Sequence, residues 1–126
     1  MTPPRAAVWV CAVLLAATFT LVGISKLAGP SAPRWSERFQ RWGYPANTQY
    51  VIGALEILGG VGVLIPAWRR PAAATLVALM TGALGTHAVN GEFPRVIPPL
   101  VLGGLALLIY AARPRRERTP NRGNGV

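Results

Sequence analysis

The chain contains no aspartate, one cysteine and one histidine. Each shortage removes a class of chemistry. A single thiol, Cys11, makes no intrachain disulfide and no dithiol redox pair. Inside an apolar run it reads as a small packing residue. A single imidazole, His87, cannot supply the paired ligands of a membrane b-type haem, and there is no Cys/His spacing for a metal. Paired-carboxylate motifs, a phosphate-binding loop, a dinucleotide fingerprint and a nucleophile–base arrangement are also missing. No cofactor and no catalytic residue can therefore be named from motifs. Charge is scarce as well. Of 126 residues only 13% are charged, while 52% are hydrophobic. A soluble domain carries about a quarter charged residues, so the composition is that of an integral membrane protein.

The charges that are present are lopsided, with 13 lysines and arginines against 4 acids and a net charge of +9. A balance of this kind can signal nucleic acid. Here the basic residues sit in short pieces between apolar runs, which fits contact with lipid headgroups and membrane orientation and excludes nucleic acid as a partner. The apolar runs predict an all-α fold, an integral membrane four-helix bundle. Its spans cover about residues 6–27, 48–66, 71–90 and 96–112. The first run is too long for a secretory signal core of about 7–15 residues. Residues 71–90 follow a tight turn, Ala67-Trp68-Arg69-Arg70, so the second and third spans form an antiparallel hairpin. Residues 113–126 read as a basic, disordered tail. Arg5, Arg69, Arg70 and the tail arginines share one side under this topology, which places both termini in the cytoplasm.

Between spans one and two lies Ser31–Pro45. Trp35, Phe39 and Trp42 recur at helical spacing beside a stripe of Arg34, Arg38 and Arg41. Ser31 can cap this segment, Pro33 suits its first turn, and Gly43 with Pro45 stops it. The pattern predicts a short amphipathic helix in the membrane interface, or a lid over the mouth of the bundle.

Within the second span, Tyr50–Pro66 is apolar except for Glu56 and carries Gly53, Gly59, Gly60 and Gly62. Gly53, Glu56 and Gly60 fall on one helical face. Small residues there admit a neighbouring backbone, so Glu56 is directed into the bundle. A lone intramembrane acid points to a functional site or a buried partner. Thr81, Gly82, Gly85 and Thr86 on the third span read as a second close-packing set. The candidate polar site is Lys26, Glu56 and His87, one from each of three spans. Counting 1.5 Å per residue puts Glu56 about 12 Å and His87 about 6 Å below the outer surface, with Lys26 at that surface. Lys26 alone would snorkel to the interface. Together the three predict either a ligand site or a polar lock between helices.

The chain resembles the DoxX-like family of small four-span bacterial membrane proteins. The resemblance lies in Gly23-Ile24-Ser25-Lys26-Leu27, Trp42-Gly43-Tyr44-Pro45, Gly53-Ala54-Leu55-Glu56-Ile57-Leu58-Gly59-Gly60 and His87, in that order on successive segments. It covers about residues 21–112. It implies a membrane bundle loosely associated with quinone-linked oxidoreductases, since one relative is a subunit of a thiosulfate:quinone oxidoreductase. Other distant relatives act as chaperones or cargo receptors for membrane partners. Three functional readings follow. The first is an accessory bundle that binds a membrane-protein partner or a second copy, within a redox complex. The second is a quinone or lipid site around Glu56 in an oxidoreductase subunit. The third is a small proton-linked transporter, which the lack of repeated broken helices disfavours.

Overall fold

A computed structural model describes residues 3–112. The tail expected over 113–126 lies outside the described residues. The fold is all-α. Five α-helices follow one another: α1 (Arg5–Leu27), α2 (Ala32–Arg41), α3 (Thr48–Gly62), α4 (Arg69–Val89) and α5 (Ile97–Ala111). Single 3₁₀ turns at Pro66–Trp68 and Phe93–Val96 lead into α4 and α5.

The expectation of four spans with one interfacial helix is corrected by these lengths. Three segments are long and apolar enough to cross a membrane: Arg5–Leu27, Pro66–Val89 and Phe93–Ala111. The span expected over 48–66 is replaced by α3, a helix of 15 residues. At 1.5 Å per residue that is about 22 Å, short of the roughly 30 Å hydrocarbon core. The reason is local. Gly59, Gly60 and Gly62 crowd its last turn, and each costs about 1 kcal/mol of helix propensity relative to alanine. Pro66 then forces Ile65 toward extended backbone, at φ −98° and ψ 109°. The chain closes with tight bonds from the Leu64 amide to the Val61 carbonyl and from the Ile65 amide to the Gly62 carbonyl. Placing both termini on one side rested on an even number of crossings and loses that basis. The chain is a multi-pass membrane protein, and its outer surface carries apolar side chains suited to lipid, such as Leu21, Leu58, Leu100 and Leu107.

α1 packs on α3, α3 on α4, α4 on α5, and α5 closes back on α1. The α1–α3 seam is the tightest. A methyl group at Gly23 would stand 2.6 Å from the Gly53 carbonyl oxygen, and one at Gly53 would stand 2.9 Å from the Gly23 carbonyl oxygen. Gly60 receives Phe19, while Gly59 and Gly62 receive Leu76 and Ala72 from α4. The second glycine set behaves differently from expectation. Gly82 and Gly85 face nothing within 4 Å, so they are not a close-packing set among the described residues.

The apolar core gathers at one end, where Leu15 and Phe19 of α1 meet Val63, Leu76 of α4, and Ala106 and Ile109 of α5. At that end Arg69 donates from Nε to the Val63 carbonyl at 2.7 Å and stacks over Trp9 at 4.4 Å. The other end of the molecule is less filled, and α2 covers it.

Candidate functional site

α2 has the sharpest amphipathic division in the chain. Ser31 precedes it without a side-chain capping bond, in contrast to the cap expected there, while Pro33 occupies the first turn. Gly43, at φ +88°, turns the chain sharply after it. Its aromatic face is directed inward. Phe39 is buried, with Trp35, Trp42 and Tyr44 arranged around it at ring-centre distances of 6.3, 5.2 and 5.6 Å.

Both ends of α2 are tied down. Trp35 Nε1 donates to Ser25 Oγ at 3.0 Å. Buried Gln49 of α3 donates from Nε2 to the carbonyls of Lys26, at 3.1 Å, and Ala32, at 3.3 Å. At the far end Trp42 Nε1 donates to Glu92 Oε1 at 2.8 Å, and the Tyr44 hydroxyl bonds Thr86. α2 is therefore strapped across from the end of α1 to the turn between α4 and α5.

Beneath it lies a cavity of about 580 Å³, lined mostly by apolar side chains from α1, α3, α4 and α5. Lys26, Glu56 and His87 all line it. Lys26 Nζ lies 2.7 Å from Glu56 Oε1, with the two side chains only 6% and 2% exposed. Lys26 thus does not snorkel. Its stem runs inward along the glycine seam, and its ammonium also sits 4.0 Å above the Trp35 ring. Among the described residues, Lys26 is the one hydrogen-bonding partner of Glu56.

His87 belongs to a separate cluster on the same cavity. Its Nδ1 lies 3.4 Å from Glu92 Oε1, and its ring meets Trp42 edge-on at 5.4 Å. Glu92 Oε2 accepts from Arg95 Nη1 at 2.8 Å. Burial raises the Glu92 carboxyl, but hydrogen bonds from Trp42 and His87 and the charge of Arg95 outweigh it. The group is held below the ordinary carboxylate value. The cavity wall therefore has two polar stations, Lys26–Glu56 and the pair His87 and Arg95, the latter held together by Glu92 behind them.

Residues 10–109 of the chain match the DoxX-like family. The chain belongs to that family. Neither the curated proteins nor the solved structures contain a match. No group of histidine, cysteine and carboxylate side chains able to hold a metal ion occurs among the described residues.

In this DoxX-like protein, sequence reasoning passed over three participants. Glu92 reads as a turn residue, and only a long-range bond to Trp42 gives it a role. Gln49 reads as a polar residue near a helix start, yet it is 4% exposed. Arg38 reads as one of the arginine stripe of an interfacial helix. Its spacing from Trp35 and Trp42 was the available signal, because i+3 and i−4 neighbours share a helical face.

Proposed function

We propose that this DoxX-like protein binds an amphiphile of quinone or lipid type in the cavity beneath α2, in an accessory role within membrane redox chemistry. One observation carries the reading: a largely apolar cavity of about 580 Å³ has a buried ion pair set in its wall. Small-molecule sites commonly measure about 300–1,000 Å³ and combine apolar lining with a few placed polar groups. A quinone, when bound, supplies two-electron chemistry coupled to proton uptake. The chain's own share is to exclude water with the α2 aromatics, to offer the Lys26 ammonium as a donor, and to accept or release a proton at the Glu56 carboxylate.

A second reading, an accessory subunit that docks a partner helix, is supported by the open surfaces over Gly85 and Gly104. Small residues on membrane helices let another backbone approach.

The test is purification in mild detergent followed by lipid and quinone extraction of the same sample, with a pull-down alongside. The expected result is an amphiphile near one per chain, lost in Gly82→Leu, which projects a side chain from a cavity-lining position with free space. Equal amphiphile content in wild type, Gly82→Leu and a detergent blank would overturn the cavity reading. A stoichiometric protein partner without an amphiphile would favour the second.

A further inference from the structure

The charges facing the cavity do not balance, and the imbalance is localised. Trp35 presents its ring as a platform fixed by the bond from its Nε1 to Ser25 Oγ. Two cations stand over that one ring, Lys26 at 4.0 Å and Arg38 at 5.0 Å. Only one carboxylate, Glu56, is paired there, and it pairs with Lys26. Among the described residues the other paired carboxylate, Glu92, serves His87 and Arg95. Among the described residues no carboxylate pairs with Arg38, although Arg38 is half-buried and lines the cavity.

Two like charges on one aromatic platform repel, and in a poorly solvated setting the repulsion is weakly screened. Cation–π attraction offsets only about 0.5–2 kcal/mol per contact. A guanidinium is, moreover, the side chain best shaped to receive a carboxylate or phosphate through two parallel hydrogen bonds. The apolar volume adjoining it suits a hydrocarbon chain.

We propose that the amphiphile of this cavity carries an anionic head, a carboxylate or a phosphate, received by Arg38 beside the Lys26–Glu56 pair, with its apolar chain in the cavity. This rests on the cavity reading above and narrows it, because a neutral ring would leave the Arg38 charge unanswered. Arg38 is then the residue that selects head-group charge, while the cavity wall accepts the chain.

The experiment uses the full chain in neutral detergent and three probes with one common chain: dansylaminoundecanoate, its methyl ester, and the corresponding alkyl phosphate monoester. Binding is followed by dansyl fluorescence at a pH where the acids are ionised. At least one acidic probe is expected to bind about tenfold or more tightly than the ester, the range of a charge-assisted hydrogen bond. Arg38→Gln should erase that gap, and Arg38→Lys should restore part of it. Preference between carboxylate and phosphate identifies a fatty acid or a phospholipid-type head as the source. Competition by inorganic phosphate should be weak, since it lacks the chain.

Ester binding equal to that of both acids overturns the anionic head and leaves the cavity reading standing. Binding of none of the probes overturns both. An acid preference that survives in Arg38→Gln overturns the assignment to Arg38. If Arg38→Gln fails to fold, Arg38→Lys decides: the bidentate fork is gone while the charge remains. The proposal then requires a reduced ratio of acid to ester affinity.

Discussion

Breaking the Lys26–Glu56 pair tests whether the cavity wall is dry. The partners are 2.7 Å apart, and both side chains are almost wholly removed from solvent. Removing one member of such a pair leaves a buried charge without compensation and costs about 3–5 kcal/mol. Glu56→Met keeps the length of the side chain and loses the charge. Lys26→Met keeps the stem and loses the ammonium. Each alone should destabilise by that amount. Replacing both with methionine removes the desolvation cost along with the attraction. The double variant should therefore return to within about 1 kcal/mol of wild type, or exceed it. Equilibrium unfolding of all four proteins in one detergent gives the coupling energy directly. Single variants that each lose less than about 0.5 kcal/mol, the range of surface substitutions, would refute the reasoning, because they would mean that water reaches the pair. The same four proteins separate a lock from a site. The double variant should regain stability without regaining amphiphile.

Other outcomes follow from the same geometry. Gly23→Ala drives a methyl group to 2.6 Å from the Gly53 carbonyl and should cost about 1–3 kcal/mol in unfolding experiments. Gly85→Ala, with nothing within 4 Å, should be neutral or stabilising by up to about 1 kcal/mol. Trp42→Phe removes the bond to Glu92 and should free the far end of α2, read as increased acrylamide quenching of Trp35 after Trp9 and Trp68 are replaced. Glu92 is held below its ordinary value of 4.5. The stability it contributes is complete above that pH and is lost as pH falls through its lower folded value. Glu92→Gln should flatten that acid limb in a pH series of melts.

The long apolar runs and the α2 pattern were legible because helical periodicity and composition are local properties. So was the direction of Glu56, since Gly53 and Gly60 on its own face announce a close neighbour. The end of α3 was not legible from hydropathy. Residues 63–66 are as apolar as the helix before them, and what stops the helix is backbone preference at three glycines and a proline. The emptiness around Gly82 and Gly85 was equally hidden, because a glycine that fits a neighbour and one that leaves space have the same letter. The turn count that grouped Lys26, Glu56 and His87 assumed that residues 48–66 cross the membrane, which α3 is too short to do. Which of the three pair was not legible either, since the choice of Glu92 by His87 depends on how the α4–α5 turn folds back toward Trp42.

The glycine seam has a mechanical consequence for whatever enters the cavity. Where α1 meets α3, Gly23 and Gly53 each lie against the other's carbonyl group, so at that point backbone rests on backbone and the wall has little freedom to yield by rotamer changes. Elsewhere in the wall α4 contributes Leu79 and Met80, whose side chains can change rotamer, and Gly82 with free space over it. The cavity therefore has one stiff wall and one compliant wall. The charged groups at Lys26 and Glu56 ride on the stiff side, so a head group meets a fixed target. Variation in ligand girth falls on α4, whose displacement would be felt by Glu92 and, through Trp42, by the strap above.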